Sequence, residues 1–132
     1  MFKVINPGVL TTVQDLGRHG YQKYGMPVSG AADPYAHRMA NILVSNHQNE
    51  ATLEITLMGL QLEVLNPGVI AFTGGDLTPT INNERIEMWR SITVKKGDMI
   101  RLKGGPSGCR VYLAVHGALM FPKYSAANQQ IQ

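Results

Sequence analysis

The sequence predicts a mainly β fold, a barrel or sandwich of short strands carrying one α-helix. Eight or nine short segments between Phe2 and Val115 alternate apolar and polar residues at period two or form short apolar runs. Turns rich in glycine and proline separate them, and the 132 residues include 14 Gly and 7 Pro. Only the stretch after Asp33-Pro34 repeats its apolar residues at helical spacing.

Residues 2–5 form the first strand, ended by Asn6-Pro7-Gly8. A polar loop is expected from about Val9 to Ala32. The helix follows near residues 34–45. Asp33 is its N-cap, and Pro34 is its first residue, having no amide hydrogen to lose. Ala36, Met39, Ala40 and Leu43 mark its apolar face, and it stops near Ser45-Asn46. Residues 51–56 then place Leu53 and Ile55 on one side and Thr52, Glu54 and Thr56 on the other. Residues 60–65 alternate likewise, and 69–73 form a short apolar strand ended by Gly74-Gly75-Asp76. Segments 77–81 and 85–89 flank Asn82-Asn83-Glu84, a hairpin signal because Asn tolerates positive φ. Segments 92–94 and 99–102 flank Lys95-Lys96-Gly97-Asp98, read as a second hairpin. Residues 110–115 are the last clear strand, and the polar stretch 124–132 is expected to fray.

Apolar residues make up 44% of the chain and charged residues 16%, a balance that argues for one folded domain and against disorder. The net charge is +3, but Lys and Arg are scattered, with Lys95-Lys96 the only tight pair. A nucleic-acid footprint needs a basic face with interleaved aromatics, so no nucleic-acid partner is expected. The single cysteine, Cys109, permits neither an intrachain disulfide nor a cysteine-based zinc site. The amino terminus lacks a secretory apolar run, and no stretch reaches membrane-spanning length. A cytoplasmic protein with no membrane association is expected.

Chemistry concentrates in two neighbouring stretches, Thr11-Thr12-Val13-Gln14-Asp15-Leu16-Gly17-Arg18-His19-Gly20-Tyr21-Gln22 and Gly25-Met26-Pro27-Val28-Ser29-Gly30-Ala31-Ala32-Asp33. Arg18 has the fork geometry to clamp a carboxylate or phosphate, with Asp15 orienting it. The same spacing also suits a loop-stabilising ion pair. Ser29 lacks the Gly-x-Ser-x-Gly frame of a hydrolase elbow. Asp33 as N-cap already occupies the free helix amides. Thr73-Gly74-Gly75-Asp76 reads as a tight turn capped by Asp76, or as a place where a ligand approaches the backbone. The four histidines, His19, His37, His47 and His116, show no metal-ligand spacing, and no metal site is expected.

Together with Ala40-Asn41-Ile42-Leu43-Val44-Ser45-Asn46, Ala51-Thr52-Leu53-Glu54-Ile55-Thr56, Ala71-Phe72-Thr73-Gly74-Gly75-Asp76, Lys96-Gly97-Asp98 and Gly108-Cys109-Arg110-Val111-Tyr112-Leu113-Ala114-Val115-His116-Gly117, these stretches resemble a known family. It is that of allophanate hydrolase subunit 2, the KipA-like biotin-dependent carboxyltransferases, over about residues 3 to 122. The resemblance implies a cyclophilin-like β-barrel. Residues 1–123 would form its N-terminal half, and a second related half would belong to longer members.

The resemblance also implies a component, or a fragment of one, of a bacterial ATP-dependent 5-oxoprolinase (its C-subunit), a hydrolase acting on a lactam C–N bond. Two alternatives come with it: the carboxyltransferase portion of a urea carboxylase-type enzyme, or a non-catalytic KipA-like regulator of a sporulation kinase inhibitor. The partners implied are a subunit 1-like (KipI-like) protein and a lactam-utilisation subunit, with self-association of a lone half. No cofactor is expected on this chain alone. ATP would act at the level of the complex, and biotin only in the carboxyltransferase alternative. Asp15 and Arg18 are the expected catalytic residues, and the isolated chain is expected to be inactive. Gln14, Ser29, Asp33, Asn41, Gly74, Gly75 and Asp76 are the expected substrate-binding set.

Overall fold

The computed structural model describes residues 2–7, 11–14, 28–29, 33–56, 59–106, 108–117 and 130–131. Their order is β1 (Phe2–Pro7), β2 (Thr11–Gln14), β3 (Val28–Ser29), α1 (Pro34–Leu43), β4 (Thr52–Thr56), β5 (Leu60–Val64), β6 (Gly68–Gly74), β7 (Pro79–Ile81), β8 (Glu84–Arg85), β9 (Ser91–Val94), β10 (Met99–Leu102), β11 (Arg110–Val115) and β12 (Gln130–Ile131). The protein is mainly β with one helix among the described residues. Two six-stranded sheets form, ordered β12-β1-β5-β10-β7-β8 and β3-β2-β4-β11-β6-β9. Among the described residues all pairings are antiparallel except β2 with β3.

The period-two alternation places one side chain set of each sheet in a shared core. Phe2, Val4, Leu60, Leu62, Val64, Ile100 and Leu102 from the first sheet meet Leu53, Ile55, Ile70, Phe72, Val111 and Leu113 from the second. Burying each such side chain contributes about 1.5–3 kcal/mol. β5 shows the half-buried pattern of a sheet with one face in the core. β4 and β11 differ, being buried almost throughout. α1 lies on the outer face of β11 and its neighbour β6, where Ala36, Ala40 and Val44 pack on Ala71, Tyr112 and Ala114, and it touches β4 at Thr52. Alanines on both sides let helix and sheet approach closely.

Asp33 caps the helix as its sequence requires, its Oδ1 accepting the Ala36 amide at 3.0 Å. The buried face is rotated from the expected one. His37 and Asn41 are fully buried beside Ala36 and Ala40, whereas Met39 and Leu43 are half-buried. The helix ends at Leu43, two residues before the expected stop. Ser45 takes φ 62°, and Asn46 turns its amide to the Val115 carbonyl at 2.7 Å.

Other strand expectations need correction. The stretch 9–32 is not one loop, since Thr11–Gln14 pairs with β4 and Val28–Ser29 with β2. The strand expected at 77–81 begins only at Pro79, after Thr78 at φ 56°. The strand expected at 85–89 is limited to Glu84–Arg85; beyond a last bond from the Ile86 amide to Pro79 O at 3.1 Å the chain leaves the sheet, and Trp89 sits at φ 61°. Asn82-Asn83 is the expected hairpin turn, with both residues at positive φ, 53° and 69°. Lys95–Asp98 is not a hairpin. β9 pairs with β6 and β10 with β5 and β7, so this turn carries the chain from one sheet to the other. The turn docks on β5, where Gly97 N donates to Val64 O at 2.8 Å and Val64 N donates to Asp98 O at 2.9 Å. In the tail, Gln130–Ile131 pairs with Phe2 and Lys3, while residues 124–129 lie outside the described residues.

The Lys95 amide, then the Asn82 side-chain amide, hold the Asp98 carboxyl below the usual range. A lowered carboxyl stabilises the fold above its unfolded pKa of about 3.9 and loses that contribution as pH falls through the folded value. Asp98→Ala is therefore expected to lower stability at neutral pH and to flatten the acid limb below about pH 4. Urea midpoints measured across pH check this.

Gly74 and Gly75 permit a close approach of chain to chain. A Cβ on Gly74, at φ +97°, would meet the Arg110 carbonyl oxygen. One on Gly75 would meet Cys109 Sγ. Gly75→Ala is expected to cost about 1–3 kcal/mol of stability. Adding Cys109→Ala should recover much of that, whereas it should not rescue Gly74→Ala, which strikes backbone. Chemical denaturation of the single and double variants tests both.

Candidate functional site

The outer face of the second sheet carries polar groups where a helix covers it. Register sets Thr12 opposite Glu54, Glu54 opposite Tyr112, and Tyr112 opposite Thr73. One cross-strand row therefore runs over β2, β4, β11 and β6. The first turn of α1 lies on it. Thr73 Oγ1 donates to the Ala36 carbonyl at 2.6 Å. The Tyr112 phenol accepts the Asp33 amide at 2.9 Å and donates to Glu54 Oε2. Two residues back along β4, Thr52 Oγ1 lies 3.0 Å from His37 Nδ1. The His37 ring stands edge-on to Tyr112 at 6.2 Å between centroids.

Three of the expected binding residues, Gln14, Ser29 and Asp33, belong to the second sheet and to the head of the helix that lies on it. Gln14 pairs in register with both Ser29 and Thr52, which brings the two polar stretches together at one sheet edge. Asp33 stands at the head of the helix, tied to Tyr112. Asn41 belongs to the other end of the helix. Its Nδ2 donates to the carbonyls of Glu50 at 2.7 Å and Gln48 at 3.3 Å, bracing the turn after the helix. Asp15 and Arg18 lie outside the described residues, as does His19.

The Gly74–Asp76 turn adjoins the head of α1 and is held by its own contacts. Gly75 N donates to Arg110 O at 2.8 Å, so this amide is not available as a donor to a ligand. Asp76 Oδ1 accepts the Thr78 amide at 2.8 Å, and its other oxygen pairs with Arg85. Trp89 donates its indole N–H to Gly74 O at 3.2 Å and its ring lies 6.1 Å from that of Tyr35. Burial pushes the neighbouring Cys109 thiol up, keeping it protonated. Among the described residues, no three His, Cys, Asp or Glu side chains gather as metal ligands. No helix among them is long and apolar enough to cross a membrane.

Residues 24–129 match the family of the carboxyltransferase domain, subdomain A and B. The chain belongs to this family. It is similar to urea amidolyase of Lachancea kluyveri, with 40% identity over 93% of this chain and 7% of that protein. It is similar to the 5-oxoprolinase C-subunit of Escherichia coli (strain K12), with 39% identity over 92% of this chain and 39% of that one. The crystal structure of K. lactis urea amidolyase superposes with a TM-score of 0.79 and 41% identity, over 93% of this chain and 8% of that chain. The chain thus spans well under half the length of these relatives.

Sequence reasoning missed Tyr112, His37, Thr52 and Thr73 as members of the seam. A signal for them existed. Glu54 and Tyr112 fall at alternate positions in strands whose other face is apolar, and a polar group covered on both sides needs a partner.

Burial first, and the hydrogen bond to Glu54 second, raise Tyr112 above the ordinary tyrosine value. The folded chain keeps this proton where an unfolded one releases it, near pH 10. The contribution is therefore full below about pH 10 and is lost as pH climbs above it. The stability advantage of wild type over Tyr112→Phe is expected to shrink above about pH 10, measured by urea denaturation across pH.

Proposed function

We propose that this chain is part of a bacterial ATP-dependent 5-oxoprolinase, contributing one wall of a site that opens a lactam C–N bond together with partner subunits. The observation that carries the reading is the 39% identity to the 5-oxoprolinase C-subunit over 122 residues. The sheet edge where Gln14 pairs with Ser29, four residues before Asp33, brings the two polar stretches of the sequence together. In this reading Arg18 clamps the substrate carboxylate or a phosphorylated intermediate through its planar fork. Asp15 and Gln14 orient that group. Ser29 and Asp33 line the edge, Asn41 holds the far end of the helix, and Gly74, Gly75 and Asp76 shape the adjoining turn. Ring opening further needs oxyanion stabilisation and a proton for the leaving nitrogen. The assembled site with its partner subunits would supply both.

ATP is assigned to the complex rather than to this chain. The stretch from Gly104 to Gly108 lies between β10 and β11 rather than before a helix, and the Ala36 amide at the head of α1 already meets the Asp33 carboxylate. The similarity to urea amidolyase at 40% identity favours a second reading, a carboxyltransferase component of a urea carboxylase-type enzyme, with biotin as its carrier.

The complex reconstituted with a subunit 1-like protein and a lactam-utilisation subunit is expected to convert 5-oxoproline to glutamate with ATP consumption. Arg18→Ala should lower that turnover at least about tenfold, the scale of one lost charge-assisted clamp. Undiminished turnover in Arg18→Ala removes the clamp from the mechanism. Urea consumption in place of 5-oxoproline consumption selects the second reading.

A further inference from the structure

Tyr112 joins three elements through one oxygen. It stands on β11, accepts the Asp33 amide at the head of α1 at 2.9 Å, and donates its proton to Glu54 on β4. The ring is fully buried and packs with Ala36 and Ala40, while Glu54 is 9% exposed. A phenol donating to a carboxylate is a charge-assisted bond, and in a buried setting each partner is costly to leave unmatched. The bond spans 58 positions of sequence, so it carries tertiary rather than local information. Asp33 follows Ser29 by four residues, and β3 is paired to β2 beside β4. The head of the helix and the Gln14–Ser29 edge are thereby referred to the same strand.

We infer that Tyr112 and Glu54 are a positioning pair that fixes the backbone of Asp33 against the Gln14–Ser29 edge and so sets the geometry of the binding surface. Tyr112 is sealed beneath α1, so its part is alignment and not contact with a substrate. The inference rests on the reading of this edge as the lactam-binding wall. Displacing a binding group by about 1 Å costs on the order of a hundredfold in rate where geometry is demanding.

Tyr112→Phe keeps the ring and removes the oxygen. In the assembled complex, kcat for 5-oxoproline opening is expected to fall at least about tenfold, with KM within about twofold. Hydrogen exchange at the Asp33 amide should quicken at least about tenfold in the same samples. Glu54→Ala should behave likewise. Glu54→Gln, whose amide oxygen still accepts the phenol proton, should recover most of both losses. If Tyr112→Phe does not fold, the Glu54→Ala and Glu54→Gln pair decides alone. Wild-type kcat in folded Tyr112→Phe or Glu54→Ala overturns the inference, and so does unchanged exchange at Asp33. A wild-type complex that turns over no 5-oxoproline counts against the proposed function, while exchange at Asp33 still decides whether the pair fixes that backbone.

Discussion

A sheet face that is polar and yet covered must satisfy its polar groups from whatever covers it. The second sheet imposes this constraint on the whole fold. Its inner face supplies Leu53, Ile55, Phe72 and Leu113 to the core, and its outer face presents Thr52, Glu54, Thr73 and Tyr112 to α1. The helix answers with the Ala36 carbonyl, the Asp33 amide and the His37 ring. Small side chains at Ala36, Ala40, Ala71 and Ala114 let the helix come close enough to do so. A bulkier helix face would hold it away and leave buried donors and acceptors unmatched, at roughly 1–3 kcal/mol each.

The placement of the site follows from that seam. The helix can dock in only one register along the sheet, because its polar contacts are specific where apolar ones are not. Its head therefore comes to rest over β11 and β6 beside the Gly74–Asp76 turn, with β4 between it and β2. Exposed aromatic surface gathers there too, with Tyr35 64% and Trp89 41% exposed. The strained backbone of Trp89 is held by bonds from its amide to Phe72 O at 2.7 Å and from its indole to Gly74 O. Rigid framing of this kind is what a recognition surface needs from its scaffold.

The chain crosses between sheets at most of its connections, and β7–β8 is the clearest simple hairpin among the described residues. Contacts are accordingly distant in sequence, a topology that folds slowly for its size because loop closure precedes the gain from pairing. The same topology explains how residues from β2, β4, β6 and β11 share one row although they span much of the chain.

Local chemistry made much of the fold legible. Asp33-Pro34 announced the helix start, Asn82-Asn83 announced the hairpin, and alternation marked β4 and β5. These signals are carried by a residue's own backbone preference or by its nearest neighbours. Of the candidate site, the polar density around Gln14, Ser29 and Asp33 was visible for the same reason. The tertiary structure alone decided the rest. Thr11–Gln14 is a strand because β4 offers it an edge, and Val28–Ser29 because β2 does in turn, not because their own sequence alternates. Lys95–Asp98 has the composition of a hairpin turn but serves as a corner, since the core draws β9 and β10 to different partners. The bond from Tyr112 to Glu54, and the burial of His37 and Asn41, depend on which face of the helix meets the sheet. Composition and period fix what each segment prefers, whereas the match between covered polar groups fixes which preferences meet.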